Sequence, residues 1–122
     1  MGCVKNCKRK TFVIRLKNLS TIKLDEKILY RFSKQIIDKS YHVEIIFVNK
    51  KKIKILNQKY RNLNQETDIL TFTDEKKDSL HQIIICPEIA EKNSHQYNNN
   101  FEKELELLIF HGLQHIIGKH HL

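Results

Sequence analysis

The stretch HVEIIFVN at residues 42–49 limits the possible folds more than any other part of this chain. It is apolar enough to lie centrally in a sheet, and such a strand needs partners on its edges and cover over its faces. The rest of the sequence supplies both. TFVIRL (11–16) is rich in β-branched and aromatic residues and reads as a first strand, while DILTF (68–72) and LHQIIIC (80–86) read as a third and a fourth. Over 25–39, Ile28, Leu29, Phe32, Ile36 and Ile37 recur at three- and four-residue steps, the pattern of a helix with one apolar face. Asp25 is placed to cap that helix. Residues 50–60 form a short lysine-rich helix with Ile53, Leu56 and Tyr60 on one side, and 61–66 is a polar loop. Pro87 suits a helix start, where its missing N–H costs little, and that helix ends at Asn98-Asn99-Asn100. The last helix runs over 101–117 with Leu105, Leu108, Ile109, Gly112 and Ile116 inward, and Gly118 is expected to stop it in a left-handed conformation. The order β-α-β-α-β-β-α-α describes an α+β fold, a mixed four-stranded sheet with helices packed on it.

One proline and three glycines in 122 residues leave no linker, and no repeat interrupts the pattern, so a single domain over 1–122 is expected, with 1–10 flexible. Nothing approaches the roughly 18 apolar residues that a membrane helix needs, and no apolar stretch comes after the basic N-terminus as a secretory signal requires. Cys3, Cys7 and Cys86 form no CxxC pair and are odd in number, which points to a reducing, cytoplasmic setting. The net charge of +8 favours an anionic partner, nucleic acid first.

Four of the seven histidines fall in HGLQHIIGKHH, residues 111–121. His111 and His115 are four apart on a predicted helix, so both imidazoles leave the same face one turn apart. Two imidazoles so placed can share a divalent metal at about 2.0–2.1 Å each. A helix stop at Gly118 lets the chain swing back, so that His121 supplies a third nitrogen; His120 is the alternative. Three ligands and one open position make the layout of a catalytic zinc site. The metalloprotease pattern HExxHxxGxxH has the same spacing, but its general-base Glu is replaced by Gly112, which can move no proton.

The block also resembles the signature HGxLHLxGYDH of the YbeY family, single-domain bacterial rRNA-processing endoribonucleases, in which the first glycine matches Gly112. A second block agrees: Tyr60-Arg61, a five-residue gap, then TDILTF (67–72) is similar to the family's YRxxxxxTDVLSF. More loosely, IIICPEIA (83–90) is similar to the family's strand GDIVIS and the residues after it. The resemblance implies a zinc held by His111, His115 and His121, and metal-dependent cleavage of single-stranded RNA in rRNA maturation. It also makes Arg61 the functional arginine, whose guanidinium suits gripping a phosphate. Lys50, Lys51, Lys54 and Lys59, with Arg61, are candidates to line a basic RNA groove, and the partners implied are RNA and the ribosome. The plainer role for Arg61 is a loop residue tying the TDILTF strand through Asp68. Tyr60 and Phe72 are expected to pack against the sheet rather than stack on bases.

The sequence departs from the family pattern at His120 (Asp in the family), Lys119 (Tyr), Gln114 (Leu), Thr73 (Pro) and His81-Gln82 (Gly-Asp). The family continues past its third histidine, whereas this sequence stops at Leu122, so a shortened C-terminus is expected beside His121. Three other readings stay open. One is a non-catalytic RNA- or ribosome-binding relative with an incomplete metal site, and another is a zinc-dependent hydrolase of some other substrate. The third is zinc acting only as a structural clamp.

Overall fold

The computed structural model describes residues 14–37, 41–76 and 79–119. Its elements are β1 (Ile14–Asn18), α1 (Glu26–Lys34), β2 (His42–Phe47), α2 (Lys50–Arg61), β3 (Ile69–Phe72), β4 (Leu80–Ile85), α3 (Pro87–Gln96) and α4 (Phe101–Lys119). The sheet order is β1-β2-β4-β3, with β1, β2 and β4 parallel and β3 antiparallel on β4. This is the α+β architecture and element order expected from the sequence.

Successive side chains along the strands point to opposite faces, and each face carries its own core. Val43, Ile45, Phe47, Ile83 and Ile85 meet Leu29 of α1 and Leu105, Leu108, Ile109, Leu113 and Ile116 of α4. On the other face Val48, Ile84, Cys86 and Leu70 meet Ile53 of α2. HVEIIFVN is therefore covered on both sides, as its composition demands. Its one charge, Glu44, lies in register between Arg15 and Gln82. The carboxylate accepts a hydrogen bond from Gln82 Nε2 at 3.1 Å and pairs with Arg15 and Lys17 at 3.7 and 3.8 Å, which offsets its burial. Burial also pushes the Cys86 thiol upward, keeping it protonated and apolar.

The helix ends differ from the expected ones, each for a local reason. The Ser33 hydroxyl donates to the Leu29 carbonyl at 2.8 Å, and α1 ends after Lys34 in a turn that still delivers Ile37 to the core. Asn98 takes a left-handed conformation (φ 55°) and the Asn100 side chain accepts from Lys103 N at 2.7 Å, so the asparagine run is a turn and a helix cap. Residues 11–13 of the expected first strand, like the expected flexible 1–10, lie outside the described residues.

Gly118 does not stop the last helix. α4 continues through it to Lys119, and no described glycine has positive φ. Position 118 is exposed, and a Cβ there would meet nothing within 4 Å. Gly118→Ala is therefore expected to raise stability by about 0.5–1 kcal/mol, the usual gain for alanine over glycine in an exposed helix. Thermal unfolding of the variant checks this, and a loss of stability would mean that the chain beyond needs the glycine.

Candidate active site

β3 is the edge strand of the described sheet, so one side of its backbone is not used by β4. The Cys86 N–H donates to the Asp68 carbonyl at 2.9 Å, which marks 68 and 86 as a hydrogen-bonded pair. By antiparallel alternation Ile69 and Thr71 then turn their N–H and C=O groups outward. Two helices flank this edge, α4 over one face of the sheet and the end of α2 over the other. Together they form an open cleft of about 560 Å³. Its lining comprises Tyr60 and Arg61 from α2, Ile69, Leu70, Thr71 and Phe72 from β3, and His111, Gly112 and His115 from α4. Such a volume suits a small ligand or a few units of a polymer.

α4 comes close to the sheet because Gly112 has no side chain. A Cβ at that position would stand 2.8 Å from Ile83 Cδ1 and 3.1 Å from Ile83 Cγ2. The neighbouring His111 and His115 stay exposed and line the same cleft as β3. Their i, i+4 spacing puts the Cβ atoms about 6 Å apart on one face. That donor pair fits two positions of a divalent metal's shell. Among the described residues no group of three His, Cys, Asp or Glu side chains converges. The third donor expected from the sequence, His121, and its alternative His120 lie outside the described residues.

The opposite wall is fixed by the end of α2. Asn57 is fully buried, and its side-chain amide donates to the Gln65 carbonyl at 3.0 Å, folding the adjoining loop back on the helix. Asn62 terminates the helix in a left-handed conformation (φ 58°), a position asparagine tolerates better than most residues. Arg61 is accordingly the last residue of a helix, not the first of a loop. It is exposed and makes no ion pair among the described residues. The Asp68 carboxylate instead accepts from Asn93 Nδ2 at 3.3 Å, so the strand-tying role for Arg61 has no support in the structure.

The lysines divide. Lys59 does not line the cleft but holds its ammonium 5.3 Å from the centre of the ring of Tyr60, which does. Lys50, Lys51 and Lys54 are exposed but do not line the cleft; at about 1.5 Å per residue the start of α2 lies some 15 Å from Arg61. Tyr60 packs on the sheet as expected but is not covered by it. It meets Phe72 edge-on, with ring centres 5.0 Å apart, but is 56% exposed.

The match to the endoribonuclease YbeY family model covers residues 6–122. The chain belongs to the YbeY family. It is 41% identical to the endoribonuclease YbeY of Thermotoga maritima over 98 residues, 80% of this chain and 64% of that protein. It is 29% identical to the protein of the same name from Staphylococcus carnosus over 109 residues, 81% of this chain and 71% of that one. These Thermotoga matches span 53–64% of the relatives' length, less than two thirds. The solution structure of TM1509 from Thermotoga maritima superposes with a TM-score of 0.64 at 34% identity, covering 90% of this chain and 75% of that one.

Two departures from the YbeY pattern prove to be neighbours. Thr73, where the pattern has proline, places its Oγ1 3.0 Å from Nδ1 of His81, which stands where the pattern has glycine. The Asp74 N–H also donates to that nitrogen at 3.3 Å, which requires Nδ1 to be unprotonated. The pair is buried at His81 and ties the chain leaving β3 to the start of β4, at the end of the cleft floor. The Asp74 carboxyl is held below its ordinary range, chiefly by the Lys76 N–H. No described helix is long and apolar enough to cross a membrane.

Proposed function

We propose that this chain is a metal-dependent endoribonuclease that hydrolyses phosphodiester bonds of single-stranded RNA, acting on ribosomal RNA in the cytoplasm during its maturation. The observation that carries the reading is the cleft itself. In a YbeY-family chain, Arg61 and the His111–His115 pair face each other across an open strand edge. RNA is extended and anionic, and the net charge of +8 attracts it from a distance. Lys50, Lys51 and Lys54 add to that attraction from outside the cleft, and Lys59 does so from beside Tyr60. Binding should therefore weaken steeply with salt.

Within the cleft, the Arg61 guanidinium grips two oxygens of the scissile phosphate and stabilises the charge that builds up there. The outward N–H groups of Ile69 and Thr71 offer further donors along the same floor. His111 and His115, with His121 as third ligand, would hold one zinc ion. When bound, zinc supplies a water acidified to a pKa of about 7 and an electrophile for a phosphoryl oxygen.

Metal content by mass spectrometry on untagged protein, with cleavage of a labelled single-stranded oligoribonucleotide alongside, tests the reading. About one zinc per chain is expected, lost in His111→Ala and in His115→Ala, and chelation should stop cleavage until zinc is returned. Cleavage that persists in the chelator sinks the metal role. RNA binding without cleavage at any metal load makes the protein a binding relative instead.

A further inference from the structure

We infer that Tyr60 is a base-stacking platform for single-stranded RNA, receiving the base next to the phosphate that Arg61 grips; this rests on the RNA reading above and deepens it. A tyrosine with a purely packing role on α2 would be buried like Ile53 on the same helix, which is fully covered. Tyr60 is instead 56% exposed on the cleft wall. Its ring is nonetheless held in place, because Phe72 meets it edge-on at an interplanar angle of 67°. A ring held against Phe72 yet more than half exposed is preorganised for stacking, so a base need not pay the entropy of ordering it.

Lys59 shows that the face is reachable. Its ammonium approaches the ring centre to 5.3 Å, the position of a cation attracted to an electron-rich face. An arriving base takes that place, and the displaced ammonium is then free to meet a backbone phosphate. Tyr60 and Arg61 are adjacent, with Cα atoms about 3.8 Å apart at the helix end, so ring and guanidinium can engage successive parts of one nucleotide step. Stacking on an aromatic side chain tolerates every base but requires that one be present and unpaired. The platform therefore selects single strands over duplex without reading sequence.

The chain has no tryptophan, so Tyr60→Trp introduces a sole indole at the site. The probes are a 2′-O-methyl oligouridine, which resists cleavage, and the same backbone made abasic, both titrated in chelator so that no step depends on metal. The oligouridine should quench Tyr60→Trp fluorescence and the abasic strand should not. Tyr60→Ala should bind the oligouridine about 5- to 100-fold more weakly with abasic binding unchanged, and Tyr60→Phe, which keeps the packing against Phe72, should bind as wild type. Equal affinities for wild type and Tyr60→Ala, or equal losses on both probes, overturn the stacking role alone. Wild-type protein that binds neither strand overturns the RNA reading and this inference with it.

Discussion

Arg61→Ala is expected to lower cleavage of single-stranded RNA by about 100- to 1000-fold, the range found when one donor to a developing oxyanion is removed. The melting temperature should barely move. Arg61 is exposed and makes no ion pair among the described residues, so its removal leaves no buried partner unsatisfied. Its one structural contribution is a positive charge in the last turn of α2, worth about 0.3–1 kcal/mol through the helix dipole. Arg61→Lys separates charge from geometry. Lysine keeps the dipole interaction and the attraction to RNA but loses the planar fork, so binding should be largely retained while kcat recovers only in part. Single-turnover kinetics on all three proteins, with thermal unfolding beside them, make the comparison. An Arg61→Ala protein that melts several degrees lower yet cleaves at the wild-type rate would show that the residue is structural.

The sequence carried the sheet and the residues of both walls of the cleft, but not how the walls meet. HVEIIFVN and LHQIIIC declared themselves as interior strands because burial on both faces leaves few polar positions to hide. His111 and His115 were legible because their spacing is local to one helix. Arg61 lies fifty residues earlier, and only the placement of β3 at the sheet edge, antiparallel beside β4, brings it across from them. Such a pairing is non-local, and no periodicity encodes it.

Tyr60 keeps its expected packing on the sheet, but the exposure of its ring was hidden for a related reason. The steps Ile53, Leu56, Tyr60 define a face correctly, but α2 reaches the cleft at its C-terminal end, where that face meets solvent and Phe72 in place of the core. Asn57, polar in sequence, is the residue buried beneath the helix because it closes the adjoining loop through Gln65. Gly118 misled in the opposite sense. Glycine permits a left-handed helix stop without requiring one, and its backbone here is helical. The Thr73–His81 contact was equally hidden, since each residue taken singly is only a departure from a pattern and the two are joined only in the fold.

The two glycines of α4 should respond to the same substitution with opposite signs. Gly118→Ala adds a methyl group to empty space and gains helix propensity. Gly112→Ala gains the same propensity, about 1 kcal/mol, but drives its methyl into Ile83. Rotating Ile83 Cδ1 aside does not clear the site, because Cγ2 and Cγ1 stand at 3.1 and 3.2 Å from the new atom. Ile83 is fully buried in the sheet and has no room to retreat, so the helix must lift. Overpacking of this kind costs about 1–3 kcal/mol, which after the propensity gain leaves a net loss of up to about 2 kcal/mol and a melting point lower by up to roughly 8 °C. Lifting α4 also carries His111 and His115 away from β3, so cleavage should fall further than the fraction unfolded explains. Ile83→Val supplies the control. Alone it should cost about 0.5–1.5 kcal/mol, but combined with Gly112→Ala it removes the atom at 2.8 Å, so the double variant should be more stable than the sum of the singles predicts. Strict additivity, or a Gly112→Ala protein stabilised like Gly118→Ala, would mean that the close approach of α4 to β4 does not set the height of the histidines.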